Sequence, residues 1–364
     1  MDILAYITAG FLLLRVLVAF FNSITPARLE FGWESTRETI SILIPARNEE
    51  LNIGNLLRDI EHQEYNNFEI LVLDDASTDL TSKIVEEYAS IDPRCRLITG
   101  EELPEDWLGK NWACHQLGLQ ASGKYFLFLD ADVRINGPLF SSAINRMKEK
   151  KLALLSLFPG QEMKTIGEWL VVPLMHYLLL SLLPLCFIEW FKHPALSAAN
   201  GQFMLFDGDQ YRKNNWHKQV KNKVTEDIEI MKAVKRERLV GATLLENSFI
   251  RCRMYHGFSE GVNGFSKNLL AGFGNSVIGL LIYLYFTFFS YGLLLYAGYW
   301  QLAFAMLLII IFFRSLISAM ADQNPLWIVL LHVPQMVVML YIAARSIAGK
   351  FFGTVSWKGR KING

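Results

Sequence analysis

The sequence predicts an α/β protein: a mostly parallel, doubly wound sheet, with N-terminal and C-terminal transmembrane helices. Three observations predict it. Short apolar runs alternate with amphipathic helical stretches between residues 39 and 129. Long apolar runs stand near both ends of the chain. The charge is uneven: from residue 275 to 344 the formal charges are Arg314 and Asp322 alone, so the polar chemistry is concentrated before them.

Residues 3–21 (ILAYITAGFLLLRVLVAFF) are apolar apart from Arg15 and come close to the roughly 20 residues that cross a bilayer. A cleaved signal peptide fits less well, because the n-region carries Asp2 and no Lys or Arg, and no A-x-A-like site precedes Pro26. The expectation is an uncleaved anchor over residues 1–25. Arg28 and Arg37 follow it and place the next domain on the cytoplasmic side.

In the polar region, TISILIP (39–45) reads as a strand stopped by proline, and residues 48–61 have helical spacing at Ile53, Leu56, Leu57 and Ile60. A second strand, FEILVL (68–73), precedes a helix at 80–88. Strand 94–98, helix 112–121 and strand YFLFL (125–129) continue the alternation. Ligands of such sheets bind at strand C-terminal ends, so the polar residues there are the ones to weigh.

Residues 169–188 (WLVVPLMHYLLLSLLPLCFI) contain no formal charge, yet Pro173 and Pro184 interrupt a continuous helix. One crossing here would put the acidic motifs on either side of it in different compartments. Segment 168–190 is therefore expected to be interfacial or re-entrant, where a lipid reaches the site. Further apolar runs at about 276–297, 301–320 and 326–344 make residues 275–345 a C-terminal transmembrane region. Residues 346–364 form a basic tail, which with Arg345 carries Lys350, Lys358, Arg360 and Lys361 and argues for the cytoplasm. Three crossings from a cytoplasmic domain would end outside, so one of the three runs is expected to lie in the interface or re-enter.

The chain has 35 Lys plus Arg against 35 Asp plus Glu, and 52 % hydrophobic against 19 % charged residues. That balance gives no basic face for nucleic acid. Cys95, Cys114, Cys186 and Cys252 form no CxxC pair, which argues against a zinc site or disulfide framework and is compatible with a reducing compartment.

Three acidic motifs carry chemistry. Asp74-Asp75-Ala-Ser-Thr-Asp79 ends the second strand, where it either caps the next helix or faces a ligand. Asp130-Ala131-Asp132 ends YFLFL; two carboxylates there cannot enter a core unpaired, and as hard oxygen ligands they suit Mg2+ or Mn2+ bridging phosphates. Glu226-Asp227 opens an amphipathic helix with Ile228, Met231 and Val234 on one side. It is either favourable to the helix dipole or supplies a general base.

Together ILIPARNEE (42–50), DDASTD, Gly109-Lys110, LDADV and the later Glu-Asp resemble a membrane-attached family 2 glycosyltransferase of GT-A (Rossmann-like) fold, from about residue 39 to about residue 271. Within that family GKNWACHQLG, RMYHGFSEGVNGFSKN and SWKGR are similar to bacterial carotenoid glycosyltransferases of the diaponeurosporenoate type and hopanoid-associated relatives. The resemblance implies a nucleotide-sugar-binding domain over 39–271, a nucleotide-sugar donor, a divalent cation (Mg or Mn) and inversion at the anomeric carbon. Pro45, Ala46 and Glu49 would line the nucleotide pocket, and Asp75 or its neighbour Asp74 would contact the base. Lys110 would lie near the nucleotide, Asp130 near ribose or metal, and Asp132 on the metal. Asp227, beside Glu226, would be the base.

Processive synthases carry Q/R-x-x-R-W after the Glu-Asp pair, whereas this chain has Arg251-Cys-Arg253-Met-Tyr255 without the tryptophan. Transfer of a single sugar is expected, with Arg251 or Arg253 on the diphosphate or on a strand flanking the membrane. Gly201 and Gln202 are assigned to the acceptor or sugar side. Trp357, Lys358 and Arg360 repeat the relatives' tail, with interfacial anchoring as the default role. His115 and His256 lack metal spacing and are assigned packing or surface roles.

The expected protein is a multi-pass cell-membrane enzyme with a cytoplasmic catalytic domain. It would move one sugar, glucose by first choice, from a UDP-sugar (GDP-sugar second) to a membrane lipid. A carotenoid or carotenoid acid is the first acceptor, and a hopanoid, diacylglycerol or polyprenyl phosphate the next. The competing class is an inactive membrane interaction or transport protein, which the paucity of intramembrane charges disfavours.

Overall fold

The computed structural model describes residues 2–25, 28–32, 38–246 and 248–352, with the backbone of 356–357 and 360–361. Arg37 and Lys358, and the side chains of Trp357, Arg360 and Lys361, lie outside the described residues. The chain forms two compact units. One comprises residues 26–162 and 185–253; the other comprises 1–25, 163–184 and 254–364.

The first unit is α/β. Its strands are β1 (Ile40–Ala46), β2 (Phe68–Asp74), β3 (Cys95–Thr99), β4 (Tyr125–Leu129), β5 (Val133–Ile135), β6 (Leu154–Phe158), β7 (Gly160–Gln161), β8 (Phe203–Asp207), β9 (Gly241–Leu245) and β10 (Ile250–Cys252). Seven of them form one sheet in the order β3-β2-β1-β4-β8-β6-β9. β1 pairs in parallel with both β2 and β4, as β2 does with β3 and β6 with β9. Helices cover both faces, so the central strands read as unbroken apolar runs without polar alternation. Ile42, Leu43 and Ile44 of β1 are all buried, and helix Ile53–Glu61 buries Ile53, Leu56, Leu57 and Ile60.

β8 breaks the parallel pattern, pairing antiparallel with both β4 and β6. Its first residues therefore lie at the edge where β1, β2, β4 and β6 end. A second sheet, β5-β10-β7, runs Arg251 opposite Arg134 and Gly160.

The second unit is helical. Among the described residues, four of its helices are long and apolar enough to cross a membrane: Asp2–Ile24, Val277–Tyr296, Trp300–Met320 and His332–Phe352, the last being the least apolar. Leu13, Leu14, Leu17 and Phe20 of the first helix are exposed, as a lipid-facing surface requires. Arg15, on the same helix, is buried: it donates to Ser181 Oγ at 3.0 Å and its guanidinium stands over the Tyr177 ring at 4.6 Å.

The apolar stretch 168–190 is not a single element. It is split between Ile166–Val171, Pro173–Leu182, which starts on its proline, and Cys186–Trp190. Leu183 is extended, and residues 185–190 belong to the α/β unit. The domain boundary also differs from residue 271. Helix Phe258–Gly272 belongs to the helical unit because it packs on Ile166–Val171 through paired glycines. A Cβ on Gly167 would sit 2.7 Å from Phe258 N, and one on Gly261 3.1 Å from Val171 Cγ1. The third C-terminal run likewise starts later than its hydropathy suggests, at His332, with Pro325–Leu330 a separate short helix.

Candidate functional site

β4 ends at Leu129, so Asp130 and Asp132 stand at the sheet's C-terminal edge. Asp130 N donates to Gln202 O at 3.3 Å, which joins that edge to the start of β8. Helix Gly109–Gln120 begins three residues before its apolar spacing suggests, and this puts Lys110 in its first turn. Lys110 Nζ lies 2.7 Å from Asp130 Oδ1 and 3.4 Å from Glu226 Oε1. Burial alone would lower the lysine's pKa, but Asp130 and Glu226 outweigh it and hold the ammonium well above its usual range.

Glu226 and Asp227 open helix Glu226–Arg236, whose buried side is Ile230, Met231 and Val234, with Ile228 only half-buried. Asp227 faces the cluster. Its Oδ2 accepts from Gly201 N at 3.1 Å and its Oδ1 from Ile228 N at 2.7 Å. Burial and the neighbouring Glu226 carboxylate push Asp227 up to about 7, against the lowering effect of those two N–H groups and Lys110. Gly201 leaves room for the cluster: a Cβ there would stand 3.0 Å from Lys110 Nζ and 3.2 Å from Glu226 Oε1, and those side-chain ends would have to shift by a few tenths of an ångström.

Asp132 is also raised to about 7, first by burial and then by Asp130 and Glu49. Its Oδ1 is buried without a hydrogen-bond partner. An orphaned carboxylate oxygen beside a second carboxylate fits a divalent cation, with Asp132 and Asp130 as the residues that would hold it. Among the described residues no group of three or more His, Cys, Asp or Glu side chains is arranged to hold a metal, so any cation there needs ligands beyond these two.

The two aspartates at the end of β2 divide their work. Asp74 accepts from Ser77 N at 3.2 Å and closes the turn. Asp75 is buried, takes Ala46 O through its own N–H at 2.8 Å, and lies 3.7 Å from Arg47 Nη1. Asp79 serves structure too, accepting from Thr81 N and Glu50 N. Ala76, between them, holds a left-handed φ of 55°, strain of a kind that clusters at binding sites. Pro45 and Ala46 end β1 in register with Leu73 and Asp74. Glu49 follows on the turn, held by Asn52 Nδ2 at 2.9 Å.

Arg251 is exposed on β10, and strand alternation turns it away from the face that carries buried Cys252. Arg253 is half-buried and follows the end of β10. Cys252 meets the site: Gln202 Nε2 donates to its sulfur at 2.7 Å. Burial, then Asp132 and Asp130, push that thiol well above its usual pKa, so it stays protonated.

Sequence reasoning passed over Cys252 and Asn111. Asn111 is 1 % exposed, and its Nδ2 reaches the carbonyls of Val220 at 2.9 Å and Lys223 at 3.0 Å, tying the lysine helix to the loop that leads into Glu226-Asp227. Its place next to Lys110 was the available signal. All four cysteines are buried and none is in a disulfide. His115 packs as expected, stacked on Trp107 at 4.9 Å and bonded to Asn215. His256 is exposed.

Residues 41–182 match the family described as Glycosyl transferase family 2. A 4,4'-diaponeurosporenoate glycosyltransferase of Staphylococcus haemolyticus (strain JCSC1435) is 28 % identical over 240 residues, 65 % of this chain and 62 % of the relative. One of Staphylococcus aureus (strain USA300) is 26 % identical over 250 residues, 66 % of this chain and 63 % of the relative. The match thus spans under two thirds of these relatives' length. Among solved structures, a mannosyltransferase from Pyrobaculum calidifontis in complex with GDP-Man and Mn2+ superposes with a TM-score of 0.59 at 16 % identity, over 97 % of this chain and 98 % of that one. The fold is GT-A-like, as the sequence predicts.

Proposed function

For a chain that carries a glycosyl transferase family 2 domain, we propose transfer of a single sugar, glucose, from a UDP-sugar to a membrane lipid, with inversion at the anomeric carbon. The acceptor is a carotenoid or carotenoid acid, in keeping with the names of the relatives. Four candidate spans support a multi-pass protein that draws this acceptor from the bilayer; the α/β unit is cytoplasmic, and one of the three C-terminal runs lies in the interface or re-enters. The observation that carries the reading is the meeting of Lys110, Asp130, Gly201, Glu226 and Asp227 at one edge of the sheet.

Each residue has a physical task. Pro45, Ala46, Glu49 and Asp75 border the nucleotide. Asp130 and Asp132 hold Mg2+ or Mn2+, which when bound neutralises the departing diphosphate. Lys110 adds a fixed positive charge beside the same group. Asp227 is aimed by two backbone N–H groups, and with its pKa near 7 it takes the proton of an acceptor hydroxyl as the oxygen attacks the anomeric carbon and the bond to the diphosphate breaks. An acceptor carboxylate is already ionised and needs no proton removed. A single in-line displacement asks for one base, unlike hydrolysis with its carboxylate pair.

The test is incubation of membranes containing the protein with a panel of labelled UDP- and GDP-sugars plus Mn2+ or Mg2+, followed by mass spectrometry of extracted lipids. Glucose on a C30 or C40 pigment is the expected product. Sugar on polyprenyl phosphate, or transfer that survives Asp132→Ala, refutes the acceptor or the metal assignment respectively.

A further inference from the structure

We propose that Gln202 supplies a third protein oxygen to the cation site, its amide carbonyl held in place by Cys252; this rests on the reading that Asp130 and Asp132 hold a divalent cation. Leu129 pairs with Phe203 in the antiparallel β4–β8 ladder, and the Asp130 N to Gln202 O bond extends it by one step. Asp130 and Gln202 are therefore directly opposed, with their side chains on the same face. Gln202 is 5 % exposed and its Oε1 is buried with no hydrogen-bond partner.

The other end of the amide is fixed. Gln202 Nε2 donates to Cys252 Sγ at 2.7 Å. The buried thiol thus anchors the amide, and two buried oxygens are left unpartnered: Gln202 Oε1 and Asp132 Oδ1. An unmet buried acceptor costs about 1–3 kcal/mol, and two of them beside a second carboxylate also repel. A cation relieves both. An amide carbonyl is a hard, neutral ligand suited to Mg2+ or Mn2+. It also completes the site without adding negative charge against an incoming diphosphate, while Asp130 is already shared with Lys110.

The experiment measures Mn2+ binding to the full-length protein in detergent micelles by electron paramagnetic resonance of free Mn2+, with no nucleotide present. Gln202→Leu should weaken binding about ten-fold or more, and Cys252→Ala, which keeps the amide but frees it, by about ten-fold, the range typical of groups that orient metal ligands. Gln202→Glu should retain or tighten it. The metal-free melting temperature of Gln202→Leu should not fall, because an unsatisfied acceptor has been removed. Wild-type Mn2+ affinity in both Gln202→Leu and Cys252→Ala, alongside lost affinity in Asp132→Asn, overturns the Gln202 assignment and leaves the cation site standing. Unchanged affinity in Asp132→Asn overturns the cation site itself. A fallen melting temperature with unchanged Mn2+ affinity shows that Gln202 only supports the fold and also overturns the proposal.

Discussion

Replacing Asp227 by Asn separates two kinds of acceptor. The carboxylate takes one N–H at each oxygen, Gly201 at 3.1 Å and Ile228 at 2.7 Å. An amide can accept at one terminus only, so one N–H is left facing an NH2 group, at a cost of about 1–3 kcal/mol in stability. The loss of proton abstraction is larger, about 10²–10⁴ in rate, or about 3–5 kcal/mol of barrier. It applies only where a proton must leave. Initial rates of labelled-sugar transfer should be measured on matched amphiphiles that end in an alcohol or a carboxylate. Asp227→Asn should lose about 10²–10⁴ with the alcohol and about ten-fold with the carboxylate, through lost positioning, while Asp132→Ala disables both. Because Asp227 keeps its proton up to about pH 7, the wild-type rate with the alcohol should rise with pH through that value. The carboxylate acceptor should show no such limb from Asp227. Equal losses with both acceptors, or a limb that persists in Asp227→Asn, would refute the assignment of Asp227 as base.

Chelation should abolish transfer, and Mn2+ affinity should rise with pH through about 7, because Asp132 must release a proton to bind; a pH-independent affinity would contradict this. In the metal-free protein Asp132 and Asp227 are both raised, so the folded state keeps protons that the unfolded chain loses near pH 4. Thermal stability should therefore be fullest below about pH 4 as far as these groups go, and fall as pH rises through about 7, with a smaller fall in Asp227→Asn. Gly201→Ala should cut the rate about three-fold with little change in melting temperature, since its Cβ 3.0 Å from Lys110 Nζ pushes the lysine a few tenths of an ångström from Asp130, and that much added to the 2.7 Å pair costs about 0.6 kcal/mol at an effective dielectric near 20. Asn111→Ala should destabilise the protein by about 1–3 kcal/mol in urea unfolding, because the carbonyls of Val220 and Lys223 lose a buried donor.

Much of the α/β unit was legible because its signals are local. Apolar runs of strand length and 3.6-residue spacing place β1, β2, β3 and β4 within a residue or two. The same reasoning places Asp130 and Asp132 at the end of a strand, but it did not show that Asp132 Oδ1 is buried without a partner. Where two neighbouring residues compete for one role, local pattern is silent. Asp74 and Asp75 differ only in which way the turn aims them, and hydrogen bonds from Ser77 N and to Ala46 O make that difference. The helix start at Gly109 was missed because its first turn is fixed by the distant 220–223 loop and not by apolar periodicity.

By itself the sequence determined the layered α/β class, the long apolar helices and the acidic motifs, since hydrophobic period and charge are properties of short stretches of chain. Only the tertiary structure decided which of those motifs meet. Reversing β8 carries Gly201 and Gln202 to the edge where β4 ends, and the parity of β10 turns Cys252 inward and Arg251 outward. Strand direction and facing depend on which partner a strand finds across the sheet, and no local pattern of residues encodes that choice.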